Sequence, residues 1–153
     1  MSLDQPKKEQ LIKLAQGQAQ KSIDSGNPPF GAVLTDAQGN VIEAAYNTQN
    51  SDIDPTAHAE INLLRKTGKK LGTRYFPGYI LFANAEPCSM CMSAAIKAQI
   101  AHFYFGALHE PSMDPELSAQ DVASRAKNKI RLEGSILQES CETQIKGGRE
   151  TLE

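Results

Sequence analysis

The chain has 153 residues, 40% hydrophobic and 22% charged, which predicts one ordinary globular domain over residues 1–153 with a single core. Its formal net charge of −2 supplies no overall positive field of the kind that drives binding to phosphate backbones, so nucleic-acid binding is disfavoured though not excluded. No apolar run approaches membrane-spanning length, and we therefore expect a cytoplasmic protein with no membrane partner.

The N-terminal half of the chain predicts two helices that flank a β-hairpin. Apolar residues recur at the helical period over residues 9–25, and a Gly-Asn-Pro-Pro run ends that pattern. Short apolar runs at 31–35 and 41–46, separated by turn formers, predict the hairpin. A polar loop at 50–55 precedes a second helix, predicted over 57–71.

The C-terminal half alternates between extended and helical patterns. The 23 residues from Gly106 to Asn128 are more than a hairpin needs and suffice for a crossover, so we expect the last two strands to be parallel. Gly147 and Gly148 are expected to end the last helix. Strands are predicted at 79–83, 100–105 and 129–137, and helices at 88–98, 117–126 and 138–146.

Two short motifs carry potential metal chemistry, and each lies at the start of a predicted helix. His58 begins one helix, and Cys88 and Cys91 lie at the start of another. A catalytic zinc site has three protein ligands and leaves the fourth position to water, and a helix N-terminus favours the thiolate form that binds metal. Glu60, two residues beyond His58, is placed to take a proton from that water and pass it to a substrate ring nitrogen.

Simpler interpretations of the same residues remain open. A C-x-x-C motif alone is typical of a redox pair or of half a structural zinc knuckle. The chain has three cysteines, so a closed structural site would need Cys141, His102 or His109 as the fourth ligand. Glu60 taken alone would be a solvated carboxylate at a helix start. The odd cysteine count favours a reduced compartment over a disulfide framework.

Together the two motifs resemble a known family. His58-Ala59-Glu60 with Pro87-Cys88-Ser89-Met90-Cys91 is similar to the H-x-E…P-C-x-x-C signature of the zinc-dependent cytidine and deoxycytidylate deaminase superfamily. The stretch Asp-Pro-Thr-Ala-His-Ala-Glu-Ile at 54–61 resembles its purine branch, which holds guanine deaminases and tRNA adenosine deaminases. The resemblance takes in residues 29–33, extends through Phe105 and so covers about two-thirds of the chain.

This resemblance implies a fold, an assembly and a set of site residues. The fold would be a three-layer α/β/α domain with a mixed five-stranded sheet, and the assembly a homodimer. The family places residues that cover the substrate in the loop holding His109 and Asp114, whereas Cys141 is expected to be a small buried side chain. The implied zinc ligands are His58, Cys88 and Cys91, the implied proton shuttle is Glu60, and the implied base contacts are Phe30, Asn47 and Ala57.

Two of these contacts have an equally good structural explanation. Asn47 follows a predicted strand, where a turn-forming Asn is common. Phe30 opens a predicted strand, where Phe is usually part of the core.

Charge and aromatic content bear on the substrate. Residues 129–153 carry four basic and five acidic side chains, whereas binding to a folded tRNA calls for a basic face. The absence of aromatic residues after Phe105 speaks against an aromatic lid of the kind that would favour guanine. We predict zinc-dependent hydrolytic deamination of a small purine, guanine-like by preference, with tRNA wobble adenosine second and cytosine or a related pyrimidine third. The non-enzymatic alternative is a zinc-stabilised binding module.

Overall fold

In the computed structural model, which describes residues 3–108 and 116–152, a five-stranded sheet lies between two layers of helices. The strands are β1 (Gly31–Thr35), β2 (Val41–Tyr46), β3 (Ile80–Ala85), β4 (His102–Ala107) and β5 (Arg131–Glu133). The helices are α1 (Gln5–Asp24), α2 (Gln49–Asp52), α3 (Ala59–Leu71), α4 (Ser89–Lys97), α5 (Ala119–Ser124) and α6 (Gln138–Glu150).

The sheet is mixed, and its strand order is β2-β1-β3-β4-β5. β1 pairs antiparallel with β2 and β3, whereas β3 with β4 and β4 with β5 are parallel. The expected α/β/α architecture and the parallel pairing of the last two strands are therefore confirmed. β1 and β3 are neighbouring strands that run in opposite directions. The start of β1 and the end of β3 therefore lie side by side, at the same end of the two strands.

Each face of the sheet has its own core. Leu81 and Phe103 pack on the side of α3, α4 and α5, whereas Phe82 and Tyr104 pack on the side of α1 and α6. Since both faces are covered, β3 and β4 consist of nearly continuous buried residues. Among the described residues, no helix has both the length and the apolar character needed to cross a membrane.

Some element boundaries differ from the sequence prediction for local reasons. α1 begins at Gln5 because the Asp4 carboxylate accepts a hydrogen bond from Lys7 N at 2.9 Å and caps the helix. The predicted polar loop at 50–55 contains the short helix α2. β5 ends at Glu133, well before residue 137, because Ser135 and Leu137 have φ of 62° and 54°, outside the extended region.

The expected end of α6 at Gly147 and Gly148 is wrong, because the helix continues to Glu150. Gly148 is buried in the helix because it permits a close approach: a Cβ there would lie 2.5 Å from Pro29 Cβ and 2.8 Å from Ile23 Cδ1. Gly147 is exposed, and nothing lies within 4 Å of a Cβ at that position. Adjacent glycines in one helix therefore have different physical roles.

The two glycines give a matched pair of stability predictions. Gly147→Ala should raise the free energy of unfolding by about 0.5–1 kcal/mol, because alanine favours the helix and meets no neighbour. Gly148→Ala should lower it by about 1–3 kcal/mol, because the added methyl overlaps Pro29 and Ile23. Urea denaturation of both proteins measures the two changes, and equal effects of the same sign would contradict this packing.

Candidate metal centre and active site

Two helix starts bring the predicted metal ligands together. His58 is the N-cap residue of α3, and Cys88 is the N-cap residue of α4, with Cys91 in the first turn of that helix. α4 follows β3 after the short segment 86–88 and packs beside α3 in the layer that covers one face of the sheet. The position of the C-terminal end of β3 thus determines where the two cysteines lie.

The ligand atoms have the spacing of a tetrahedral metal site. His58 Nδ1 lies 3.5 Å from both Cys88 Sγ and Cys91 Sγ, and all three ligand atoms fall within 4.8 Å of one another. Tetrahedral zinc with bonds of about 2.3 Å to sulfur and about 2.0 Å to nitrogen needs a sulfur to nitrogen separation of about 3.5 Å. One imidazole and two sulfurs are also the donor atoms that zinc prefers, so the group fits zinc.

The two sulfurs differ in acidity. Hydrogen bonds from Cys91 and from His58 lower the pKa of the Cys88 thiol to about 4. The pKa of the Cys91 thiol is raised, because that thiol donates to Cys88 and is buried. The Cys88 thiolate is therefore already favoured, and a divalent cation would replace the proton held by Cys91.

Glu60 lies directly beside this group and is 7% exposed. The Glu60 carboxyl and the Cys91 thiol are close enough for each to influence the pKa of the other. Burial raises the pKa of Glu60 to about 7, and the negative charge of Cys88 adds to the shift. A carboxyl group that gains and loses a proton near neutral pH beside a metal group can carry protons in acid–base chemistry.

A cleft of about 320 Å³ opens beside the metal ligands. Its volume is at the low end of the range for small-molecule sites. Leu117, from the segment before α5, and Met90, from α4, give it apolar walls, and Lys or Arg is absent from its described lining. The lining consists of Pro55, His58, Cys88, Ser89, Met90, Ser93 and Leu117.

The three predicted base contacts are linked through the backbone. Asn47 N donates to Phe30 O at 3.0 Å, and Thr48 N donates to Ala57 O at 3.0 Å, which places these residues beside the residue that precedes His58. They lie outside the described lining of the cleft, although Pro55 and His58 on either side of Ala57 belong to it. The backbone thus joins the predicted base contacts to the cleft wall.

The Asn47 side chain forms a turn in this structure. Its Oδ1 accepts from Gln49 N at 2.8 Å, and its Nδ2 donates to Gln49 Oε1 at 2.6 Å. The Phe30 ring is partly buried, and the Arg149 guanidinium lies 5.8 Å from its centroid. Both residues therefore have structural partners, and their contact with a base stays a prediction.

The other residues considered as metal ligands or substrate contacts lie away from the metal ligands or outside the described residues. Cys141 is fully buried in the core between the sheet and α6, as expected. His102 packs its ring 4.6 Å from that of Tyr104, on β4. His109 and Asp114 lie outside the described residues.

Sequence reasoning missed residues that shape the site without carrying its chemistry. Asn62 Nδ2 donates to Tyr46 O at 2.9 Å and to Thr48 Oγ1 at 2.8 Å, and so ties α3 to the turn around Asn47. The available signal is its spacing: Asn62 lies four residues after His58, on the same helix face. Leu117 is distant from the motifs along the chain and gives no such signal.

A three-layer α/β/α domain with one histidine and two cysteines at adjoining helix starts defines a zinc-site domain of the nucleobase deaminase type. Residues 5–107 match the cytidine and deoxycytidylate deaminase zinc-binding region. The chain belongs to this family.

The relatives include enzymes named for two substrates. The tRNA-specific adenosine deaminase of Aquifex aeolicus is 35% identical over 101 residues, which cover 66% of this chain and 66% of that protein. The guanine deaminase of Bacillus subtilis is 35% identical over 102 residues, covering 66% of this chain and 65% of that protein. These matches thus span slightly less than two-thirds of each relative, and a match to tRNA(Ile)-lysidine synthase of Deinococcus radiodurans spans 15% of it.

A solved structure from a study of A-to-I editing by tRNA:A34 deaminases shares the fold. Its TM-score is 0.79 at 28% identity, and the superposition covers 88% of this chain and 98% of that chain. Similarity over most of this chain confirms the fold beyond the matched family region, including the C-terminal part.

Proposed function

We propose that the protein is a zinc-dependent hydrolytic deaminase of a small purine, with guanine or a guanosine-like nucleoside preferred. The observation that carries the proposal is the group of His58, Cys88 and Cys91 at metal-ligand spacing, with the buried carboxyl of Glu60 beside it. Family membership supports deamination as the reaction class.

Each residue has a defined part in the proposed reaction. His58, Cys88 and Cys91 would hold zinc, which when bound supplies Lewis-acid activation of water. Glu60 takes a proton from a water molecule on its carboxylate oxygen and delivers it to a purine ring nitrogen, which activates the adjacent ring carbon for attack by the hydroxide that remains. A second proton, passed from that oxygen through Glu60 to the amino group, lets the C–N bond break and ammonia leave, and the carbon keeps the oxygen as a carbonyl. Burial raises the pKa of Glu60, which favours the carboxyl group holding a proton between accepting and donating it.

Phe30, Asn47 and Ala57 are the proposed contacts to the base. The Phe30 ring offers an aromatic face for stacking, and the Asn47 amide offers both a donor and an acceptor to a base edge. Asn47 Nδ2 donates one of its two hydrogens to Gln49 Oε1, so the second is the one it would offer to the base. The backbone links from Phe30 to Asn47 and from Thr48 to Ala57 support a single binding surface.

The charges around the cleft support a small neutral substrate. Asp54 precedes the Pro55 wall, and its Oδ2 lies 3.9 Å from Arg65 Nη1, so the nearby cation already faces a carboxylate. A cleft wall without Lys or Arg among its described residues offers no side-chain cation to a phosphate. A volume of about 320 Å³ suits one base.

tRNA wobble adenosine is the second candidate, and one feature favours it besides the named relatives. A groove next to the cleft shares Ser93 and Leu117 with it and is lined by Lys97 and Arg125. Two cations beside the site could contact phosphates, although Asp121 lines the same groove.

A deamination screen tests the proposal. Zinc-loaded protein should release ammonia from guanine or guanosine and lose that activity after chelation, while adenine and cytosine react more slowly. Turnover of cytosine alone would support the pyrimidine alternative and contradict the purine proposal. If the protein binds one zinc per chain but releases ammonia neither from these bases nor from an anticodon stem-loop, the proposed enzymatic activity is wrong. The zinc-stabilised binding module would then be the supported alternative.

The assembly and the location are separate proposals. We propose a homodimer, as the family resemblance implies, and a cytoplasmic location, as the odd cysteine count favours. Light scattering of the zinc-loaded protein measures the mass of the assembly directly. A mass equal to that of one chain at micromolar concentration would contradict the dimer.

A further inference from the structure

Asn84 is a buried amide in the middle of the sheet, where an apolar side chain would be expected. It lies in β3 between Ala83 and Ala85 and is 1% exposed. Burying an amide is unfavourable unless its polar atoms are hydrogen-bonded. Its place four residues before Cys88 puts it near the C-terminal end of β3, from which the chain leads to the two cysteines.

The Asn84 side chain binds the backbone on both sides of Phe30. Its Oδ1 accepts from Gly31 N at 3.0 Å, and its Nδ2 donates to Pro29 O at 3.0 Å. The backbone register between β1 and β3 extends to Ala32 opposite Ala83. The Asn84 side chain thus acts as a strand partner one step beyond that last backbone pair.

Phe30 in turn leads to the other proposed base contact. Phe30 N donates to Pro28 O at 2.8 Å, and Phe30 O accepts from Asn47 N at 3.0 Å. The hydrogen bonds of Asn84 therefore fix a segment that connects directly to the turn holding Asn47.

Close packing on both sides leaves this segment little freedom to adjust. A Cβ on Gly31 would lie 2.2 Å from Ala15 O, so α1 already touches the backbone there. A Cβ on Gly148 would lie 2.5 Å from Pro29 Cβ, so α6 touches the other end. Between these two helices, the Asn84 amide is hydrogen-bonded to the backbone on each side of Phe30.

A third hydrogen bond links this arrangement to α6. Asn84 Nδ2 donates to Gln144 Oε1 at 3.3 Å, and Gln144 Nε2 donates to Gln16 O at 2.7 Å in α1. The same helix places Arg149 over the Phe30 ring. The C-terminal helix therefore supports Asn84 and Phe30 from one side.

We propose that Asn84 is a positioning residue that holds Phe30, and through its backbone Asn47, in the conformation that receives the base. The inference rests on the proposed function, because it assumes that Phe30 contacts the base. Asn84 lies outside both family motifs. Substrate affinity would then depend on hydrogen bonds on the α1 and α6 side of the sheet, the face opposite α3 and α4.

The first arm of the test observes Phe30 without any substrate. The chain contains five phenylalanines, so protein labelled with 4-fluorophenylalanine gives five fluorine resonances, and Phe30→Leu assigns one of them. Asn84→Leu is close in shape but forms none of the three hydrogen bonds, and it should shift or broaden the Phe30 resonance. Asn84→Asp keeps an acceptor for Gly31 N and should cause a smaller change, and it serves if the Leu protein fails to fold.

The second arm measures kinetics with guanine as the probe. Asn84→Leu should raise KM about tenfold and leave kcat within about twofold, because the metal ligands and Glu60 are unchanged. Zinc content should stay at one ion per chain.

Two controls separate positioning from stability. Ile145→Ala removes a buried side chain of the same helix, and Gln16→Ala removes the hydrogen bond from Gln16 Nε2 to Ser140 Oγ between α1 and α6. Both should leave the KM for guanine unchanged, even where the melting temperature falls. Gln16→Ala should also leave the Phe30 resonance unchanged, whereas Ile145→Ala is judged by KM alone because Phe30 packs against the cluster that contains Ile145.

The outcomes decide the inference separately from the proposed function. An unmoved Phe30 resonance in both Asn84 variants overturns it, as does a moved resonance with unchanged KM. An equal rise in KM for Ile145→Ala also overturns it, since general loosening would then explain the effect. If the wild-type protein deaminates no purine, the proposed function fails, and the fluorine spectra still decide whether Asn84 holds Phe30.

Discussion

A Cys91→Ser protein should lose its zinc and release no ammonia above the level of the chelated wild type. Cys91 is 1% exposed, and its sulfur lies 3.5 Å from His58 Nδ1, so a weaker oxygen donor there removes one of three ligands. We expect zinc affinity to fall by at least about 100-fold, and the melting temperature to fall with it because metal binding stabilises only the folded state. Zinc per chain after dialysis, measured by mass spectrometry, gives the result.

Cys141→Ala is the matched control, because Cys141 is the remaining cysteine, buried in the core near α6. It should keep one zinc per chain with sulfur bonds near about 2.3 Å in X-ray absorption spectra. Loss of zinc in the Cys141 variant, or a full complement of zinc in Cys91→Ser, would contradict the three-ligand site.

Glu60→Gln should bind zinc normally and lower kcat by about 100- to 10,000-fold. Glutamine preserves the size of the buried side chain and its hydrogen bonding, but its amide cannot carry the proton. Because Glu60 is 7% exposed and burial raises its pKa to about 7, a neutral amide should not destabilise the fold. Steady-state kinetics, zinc analysis and thermal unfolding of one preparation measure the three quantities together.

A glutamine at Glu43 is the control for Glu60→Gln. Glu43 pairs with Lys66 at 3.4 Å on the edge strand β2, away from the metal ligands, and its substitution should leave kcat unchanged. Near-normal turnover by zinc-replete Glu60→Gln would show that another residue moves the proton.

The central elements could be predicted from the sequence where local pattern and tertiary environment agree. β1 and β2 begin and end at the predicted residues, since each is a short apolar run bounded by turn formers. The grouping of His58, Cys88 and Cys91 could be expected from the resemblance of the two motifs to the family signature, and the structure places their ligand atoms within 4.8 Å of one another.

The remaining features depend on contacts between residues far apart in the chain. Gly148 looks like a helix terminator in sequence, and its contact with Pro29 becomes visible only when α6 is packed on the entry to β1. Asn84 looks like an interruption of an apolar strand, and its partners at Pro29, Gly31 and Gln144 lie 53 to 60 residues away. Local periodicity cannot report such contacts.

Salt dependence of the reaction distinguishes a free purine from tRNA as the substrate of this protein. Zinc-loaded protein is assayed with guanine and with an anticodon stem-loop at about 50 mM and about 200 mM salt, because binding through many phosphates weakens steeply over that range. We expect ammonia from guanine with nearly equal kcat/KM at both salt concentrations, and no inosine in the stem-loop. Inosine at the wobble position that falls with salt, with guanine inert, would contradict this expectation.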